Sequence, residues 1–198
     1  MSSQKKPSLS QSIKAQVQIL GTLVAVFWIL EILDTFVFNH QLDQYGIVPH
    51  SFMGLRGILF APFLHGGFGH LMANTVPFII LGWLVMLQEI SDFWIVTFVT
   101  MIVGGLGVWI FAPSNTVHIG ASSLIFGYLG FLLLRGYFQR NLASIFLSLL
   151  VGFLYGGLIW GVFPHQPGVS WQGHLFGFIG GVLAAKLIAN EKRYNTLR

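Results

Sequence analysis

An all-α polytopic bundle of six membrane-crossing helices is the fold class that this sequence predicts, and three observations predict it. Of its 198 residues 55% are hydrophobic and only 8% are charged, with a mean hydropathy of +0.76, which leaves too little polar surface to clothe a water-soluble globule. The apolar residues gather into six stretches, most of them close to the ~20 residues that carry a helix across about 30 Å of hydrocarbon. The ten basic residues fall at the edges of those stretches and, with one exception, on one side of the membrane.

Taken in order, the elements begin with a polar segment, "MSSQKKPSLSQSIKAQVQ". It lacks a small-residue cleavage site and reads as a cytosolic tail, residues 1–16, rather than a removable signal peptide. Spans are expected at 17–38, 68–88, 93–112, 122–134, 142–163 and 171–190, and a second cytosolic tail at 191–198. Between the first two spans, residues 39–67 carry "FMGLRGILFAPFLHGG", too apolar for a solvated loop and too broken for a span, so this connection is expected to lie in the interface. No repeat or low-complexity tract divides the chain, and residues 1–198 are read as a single domain with its six-span core at 17–190.

With the N-terminus in the cytosol, Lys5, Lys6, Lys14, Arg135, Arg140, Lys186, Lys192, Arg193 and Arg198 share that side and Arg56 alone lies outside. Topology therefore accounts for the formal charge of +4, and no nucleic-acid partner is called for. The lipid bilayer is the partner that composition requires. Absence of cysteine excludes disulfides and thiolate chemistry.

In that orientation the second, fourth and sixth spans all run inward, and the polar residues concentrate at their starts: "HGGFGHLMANTVPF", "HIGASSLIFG" and "SWQGHLFGFIGG". His70 and Asn74, four apart, share one helical face. In the sixth span Gly173, Gly177, Gly181 and Ala185 form a stripe of small residues that admits a neighbouring backbone. Gly120, Gly127 and Gly130 of the fourth are expected to receive it, which would bring His174 beside Ser122. From Ser122 to Arg135 a helix covers only about 20 Å of the roughly 30 Å of hydrocarbon, so Ser122 is expected on the order of 10 Å below the outer surface. The preceding "PSNTVHIGA" must then enter the membrane without being helical, which requires burial in protein or a wet cavity.

These residues point to hydrolytic chemistry. Ser122 is a nucleophile if a base takes its proton, and His174 is the titratable group in reach. Donors for a tetrahedral oxyanion are the Ser122 N–H at a helix start, the Asn74 amide and the His70 ring. Glu89, Asp92 and Glu191 map to the cytosolic side, so a Ser–His dyad is expected rather than a triad. No H-E-x-x-H run exists, and the chemistry calls for no cofactor and no metal.

The pieces "FLHGGFGHLMANTVPFIILG", "GASSLIFGYLG" and "WQGHLFGFIGGVLAA", in this order on the second, fourth and sixth spans, resemble the rhomboid family of intramembrane serine proteases. The resemblance extends to the six-span, rhomboid-like architecture. It implies Ser122 as nucleophile, His174 as general base, and His70 with Asn74 at the oxyanion. It further implies that Phe126 packs on the His174 ring, that His65 supports this end structurally, and that Gly120 belongs to the site. The 39–67 connection would match the family's embedded first loop, and the fifth span with "FPHQPGVSW" its mobile gate and cap. The implied activity is endopeptidase cleavage in or beside transmembrane segments of membrane-protein substrates, in a bacterial cytoplasmic membrane with both termini cytosolic. Ser123 stands where many members have glycine, and Leu55-Arg56 where the first loop often has Trp-Arg.

Other readings stay in view. Serine and glycine in membrane helices usually serve packing. A non-catalytic protein of the same fold that binds transmembrane helices, or a small transporter, would also use polar residues inside a bundle. His40, His50, His118 and His165 are expected to be solvated in outer loops, and Glu31 and Asp34 to be solvated at the outer interface. The tryptophans read as interface anchors and packing residues.

Overall fold

Six long helices carry the chain in the computed structural model, which describes residues 8–164 and 168–196. They are α1 (Leu9–Phe36), α2 (Phe68–Met86), α3 (Ile90–Phe111), α4 (Ser122–Gln139), α5 (Leu142–Tyr155) and α6 (Trp171–Thr196). A 3-10 stretch, Gly156–Val162, continues α5. Among the described residues the one element of β pairing is an isolated bridge between Ile47 and His118. His165, and the outermost residues of both expected tails, lie outside the described residues.

The first helix starts earlier than hydropathy suggests. Ser8 caps it: the Ser8 hydroxyl accepts from Gln11 N–H and the Gln11 side chain accepts from Ser8 N–H, a reciprocal pair that satisfies two orphan donors. Residues 9–16, expected in a tail, are thus helical. Gln16 is buried between Met86 O, to which it donates at 3.2 Å, and the Trp83 indole, from which it accepts at 3.0 Å.

Among the described residues five helices are long and apolar enough to cross a membrane: Leu9–Phe36, Phe68–Met86, Ile90–Phe111, Leu142–Val162 and Trp171–Tyr194. With this composition the chain is an integral membrane protein. The expected sixth, α4, falls short on apolarity, because its 18 residues include Ser122, Ser123, Arg135 and Gln139. Its place in the bundle explains the composition. Every residue from Leu124 to Leu132 is buried, and α4 packs on α2, α3, α5 and α6, so its polar groups meet protein rather than lipid.

Close approach of α4 and α6 runs in parallel register. A Cβ at Gly177 would collide with the Ser123 carbonyl, one at Gly181 with the Gly127 carbonyl, and one at Gly130 with the Phe178 carbonyl. The stripe thus meets α4 at Gly177 and Gly181 but not at Gly173. Gly173 faces Ser170 and Val108 rather than α4, Gly127 also gives its side-chain space to Thr100 of α3, and Gly120 lies against His70. The reason is geometric: α3 wedges beside α6, with Gly104 near Gly177 and Gly107 under the Phe176 ring.

At the other end of α4, Arg135 is fully buried, where the sequence places it at a cytosolic edge. Its Nη2 meets Asp92 Oδ2 at 3.2 Å, its Nε donates to Gln139 Oε1, and its guanidinium lies 5.1 Å from the Phe131 ring centre. Lys192 from α6 adds contacts to Asp92 Oδ2 (3.3 Å) and Glu89 Oε1 (3.2 Å). One carboxylate thus ties α3, α4 and α6 together.

The connection between α1 and α2 consists of short turns at Leu42–Tyr45, Met53–Arg56, Gly57–Phe60 and Ala61–Phe63. Phe52, Met53, Leu59 and Phe60 point outward and are at least half exposed, as a segment in contact with lipid would have them. Arg56 stacks 4.4 Å over Tyr45 and donates to Gln44 O, which anchors the connection on its own first turn. An apolar cleft of about 690 Å³ opens between α1, α3 and this connection. Its lining contains no serine or histidine, so it is not where the polar chemistry lies.

Candidate active site

The segment before α4 is held on both flanks. His118 exchanges two backbone hydrogen bonds of 2.9 Å with Ile47, and Gly120 N–H donates to Ala61 O at 2.8 Å. Gly120 adopts φ +113°, a conformation open to glycine, and an added Cβ would also lie 2.6 Å from His70 Cε1. The chain then turns into α4 at Ala121, whose side chain offers the first N–H groups no cap. Ser122 and Ser123, both half-buried, open the helix with those donors free of side-chain partners. As expected, residues 113–121 form no helix.

His70 and Asn74 converge on this turn from α2. Gly66 N–H donates to His70 Nδ1 over a long 3.4 Å, so the neutral ring carries its proton on Nε2. That Nε2 faces Gly120, 2.7 Å from where a Cβ would sit, and Asn74 Nδ2 lies 3.5 Å from the same point. Asn74 is only 5% exposed, and its Nδ2 has no hydrogen-bond partner among the described residues. An unused buried donor costs on the order of 1–3 kcal/mol, so its retention beside Gly120 asks for an acceptor that arrives from outside.

His174 approaches from α6. Its ring stacks on Phe126 with centroids 4.0 Å apart and planes within 8°, and Phe126 lies one helical turn after Ser122, leaning back toward it. Nδ1 lies 2.9 Å from Gly161 O. A carbonyl can only accept, so Nδ1 is protonated and the lone pair of the neutral ring is on Nε2. Gly161 is itself constrained, since a Cβ there would meet Phe126 Cζ at 2.6 Å and His174 Nδ1 at 3.3 Å. No direct hydrogen bond joins Ser122 to His174; the Phe126 ring on which His174 stacks lies one turn after Ser122, and Gly177, three residues after His174, packs against the Ser123 carbonyl.

His65, 1% exposed, sits with its ring 5.5 Å from Phe27 and 5.2 Å from His70, edge to face. Burial, and then the neighbouring His70, lower it to about 4, so it is a neutral wall behind His70, in keeping with a structural part.

His118 is a correction, since the ring expected in solvent is partly buried and fully bonded. Thr116 Oγ donates to Pro113 O (2.6 Å), so His118 Nε2–H donates to Thr116 (2.8 Å) and Nδ1 accepts from Ser170 Oγ (2.7 Å). Ser170 in turn accepts from Gly173 N–H at 3.2 Å. Burial lowers the His118 pKa, which keeps this chain neutral. Sequence reasoning missed His118, Ser170 and Gly161. Ser170 alone carries a local signal, as a serine just ahead of a helix.

His118, Ser170, Gly120, Ser122, Ser123 and Gly173 line a cavity of about 20 Å³, completed by apolar residues of the connection and α3. That is room for one water molecule with polar partners on several sides. Ser123 packs here, its carbonyl against Gly177 and its Cβ 3.7 Å from where one would stand on Gly104.

Fold and site together define a helical membrane protein that gathers a serine, two histidines and an asparagine around one glycine-turned helix start, with a third histidine stacked on Phe126 one turn along that helix. The chain belongs to the rhomboid family: the rhomboid domain matches residues 53–191. An uncharacterised protein of Mycobacterium tuberculosis is 44% identical over 180 residues, covering 87% of this chain and 75% of its own, and one of Mycobacterium leprae is 42% identical over 182, covering 87% and 71%. A Bacillus subtilis protein whose given name proposes, without asserting, a rhomboid protease is 30% identical over 130 residues, 65% of each chain.

Proposed function

We propose that this protein is an intramembrane serine endopeptidase working through Ser122 and His174. The observation that carries the reading is the state of His174: Nδ1–H committed to Gly161 O, the ring clamped on Phe126, and Nε2 left with its lone pair. In the first step Ser122 Oγ adds to a substrate carbonyl while His174 Nε2 takes the hydroxyl proton. The oxyanion forms beside Gly120, where Ser122 N–H, Asn74 Nδ2 and His70 Nε2–H are available as donors. His174 then returns its proton to the leaving amine. A water, for which the 20 Å³ cavity is a holding place, repeats the cycle on the acyl-enzyme and restores Ser122. A separation longer than a hydrogen bond before substrate arrives is common for such pairs.

The substrates in this reading are transmembrane segments that unwind locally and present a peptide bond at the turn before α4. We place α4 as a sixth, protein-enclosed crossing in a single domain of a bacterial cytoplasmic membrane, with both termini cytosolic, because the positive-inside bias agrees with it. The test uses detergent-purified protein, a fluorophosphonate probe and a model transmembrane substrate. Wild type should label and cleave, while Ser122→Ala should do neither and His174→Ala should lose cleavage. Labelling that persists in Ser122→Ala refutes the assignment, and a folded wild type that neither labels nor cleaves points to a helix-binding member of the family instead.

A further inference from the structure

A second cluster of ionisable groups lies at the far end of α1, away from the serine. Glu31 and Asp34, expected in solvent, are each 2% exposed, because the chain after Phe36 folds back over them. His40 N–H donates to Asp34 O, and Leu42 N–H donates to Asp34 Oδ1 at 2.8 Å. This return brings Asp43, half-buried, and the His40 ring onto Asp34. One ligand atom from each of Asp34, His40 and Asp43 lies within 4.8 Å of the others, separations that a cation with bonds of about 2.1–2.4 Å spans after a small adjustment.

Proximity of acids alone would mean little, but these are under-satisfied. Asp34 Oδ2, Glu31 Oε2 and Asp43 Oδ1 are buried and have no hydrogen-bond partner among the described residues. No ion pair among the described residues reaches any of the three. Glu31 uses its other oxygen on the Thr35 hydroxyl, 3.2 Å away. Three carboxylates packed together without a counter-charge are expensive, and a doubly charged ion is the compact remedy.

We propose that Asp34, Asp43 and His40, backed by Glu31, bind a divalent metal ion of the zinc or manganese class. The mixed oxygen and imidazole donor set favours those ions over calcium or magnesium, which take oxygen alone. The ion would fasten the Leu42–Tyr45 turn to α1. That turn leads directly into Gly46, packed under Val117 and Ile119, and Ile47, paired with His118, so the metal would steady the loop that holds the turn before Ser122.

The test uses untagged full-length protein in detergent, stripped with a chelator and titrated calorimetrically with Zn²⁺, Mn²⁺, Ca²⁺ and Mg²⁺, with bound metal counted by mass spectrometry. One equivalent of Zn²⁺ or Mn²⁺ should bind at least about 10-fold more tightly than Ca²⁺ or Mg²⁺, and saturation should raise the Tm by roughly 5 °C. Asp43→Asn and His40→Gln, in the connection after α1 rather than in the helix core, should each weaken binding at least about 10-fold at unchanged helicity. Glu191→Gln, exposed at the opposite end, should change nothing. Less than one equivalent bound, a preference for Ca²⁺, or affinity untouched by Asp43→Asn and His40→Gln would each overturn the proposal. None of these readouts depends on peptidase activity.

Discussion

The two ends of α4 treat polar groups in opposite ways. At the Arg135 end the charge is paired, with Asp92, Gln139 and the Phe131 face around it and Lys192 sharing the carboxylate, although Arg135 Nη1 and Gln139 Nε2 lack a hydrogen bond among the described residues. At the Ser122 end Asn74 Nδ2 has no partner among the described residues, the first N–H groups of α4 have no side-chain cap, and the neutral His174 ring keeps a lone pair on Nε2. Inside a membrane an unpaired polar group is costly. The difference teaches that the Arg135 end uses opposite charges to lock three helices, whereas the Ser122 end leaves an amide donor and the first helix N–H groups able to take up an acceptor.

Substitutions at the two ends should therefore separate stability from activity. The largest effect expected is on catalysis: His174→Ala should lower cleavage of a model substrate by at least about 10⁴-fold, with a much smaller loss of stability from the Phe126 stacking and Gly161 hydrogen bond it removes. Asp92→Ala should do the reverse. Leaving Arg135 buried without its carboxylate should cost about 3–5 kcal/mol, read by reversible unfolding in mixed micelles, with the surviving folded fraction still labelled by a fluorophosphonate. Asn74→Ala sharpens the contrast, with kcat expected to fall about 10²-fold or more and KM and stability to hold, since the lost donor has no partner in the resting protein. A large drop in stability would mean that Asn74 is structural.

The smallest effect is a pH slope. His65 is held near 4 in the folded protein against about 6.5 when unfolded, so between those values the unfolded chain binds more protons and stability rises with pH. Stability should be full above about 6.5 and decline as pH falls toward 4. His65→Gln should flatten that part of the profile in pH-dependent unfolding, and a slope unchanged by the substitution would assign the titration elsewhere.

Much of the site can be read from residues alone. His70 and Asn74 lie four apart on one helix, and this spacing puts them on one face in any helical fold. Gly177 and Gly181 announce a close helix contact by the same rule. Other features depend on partners that are remote in the chain. The Gly161 carbonyl reaches His174 across 13 positions and Ser170 reaches His118 across 52, through a 3-10 stretch and a loop that no periodicity marks. Glu31 and Asp34 look like solvated residues near a helix end until the Leu42–Tyr45 turn folds over them. Arg135 looks like a membrane-edge charge until Asp92, 43 positions away, meets it.

Composition, helix positions and the shared faces of nearby residues follow from short-range rules, because hydropathy and the 3.6-residue period act within one segment. For this protein they were enough to define a helical membrane bundle and to nominate Ser122, His174, His70 and Asn74. Tertiary structure alone decided which of its polar atoms are paired and which are left waiting. In a low-dielectric interior that depends on neighbours brought together by packing, and a buried group has no water to make up for a partner it lacks.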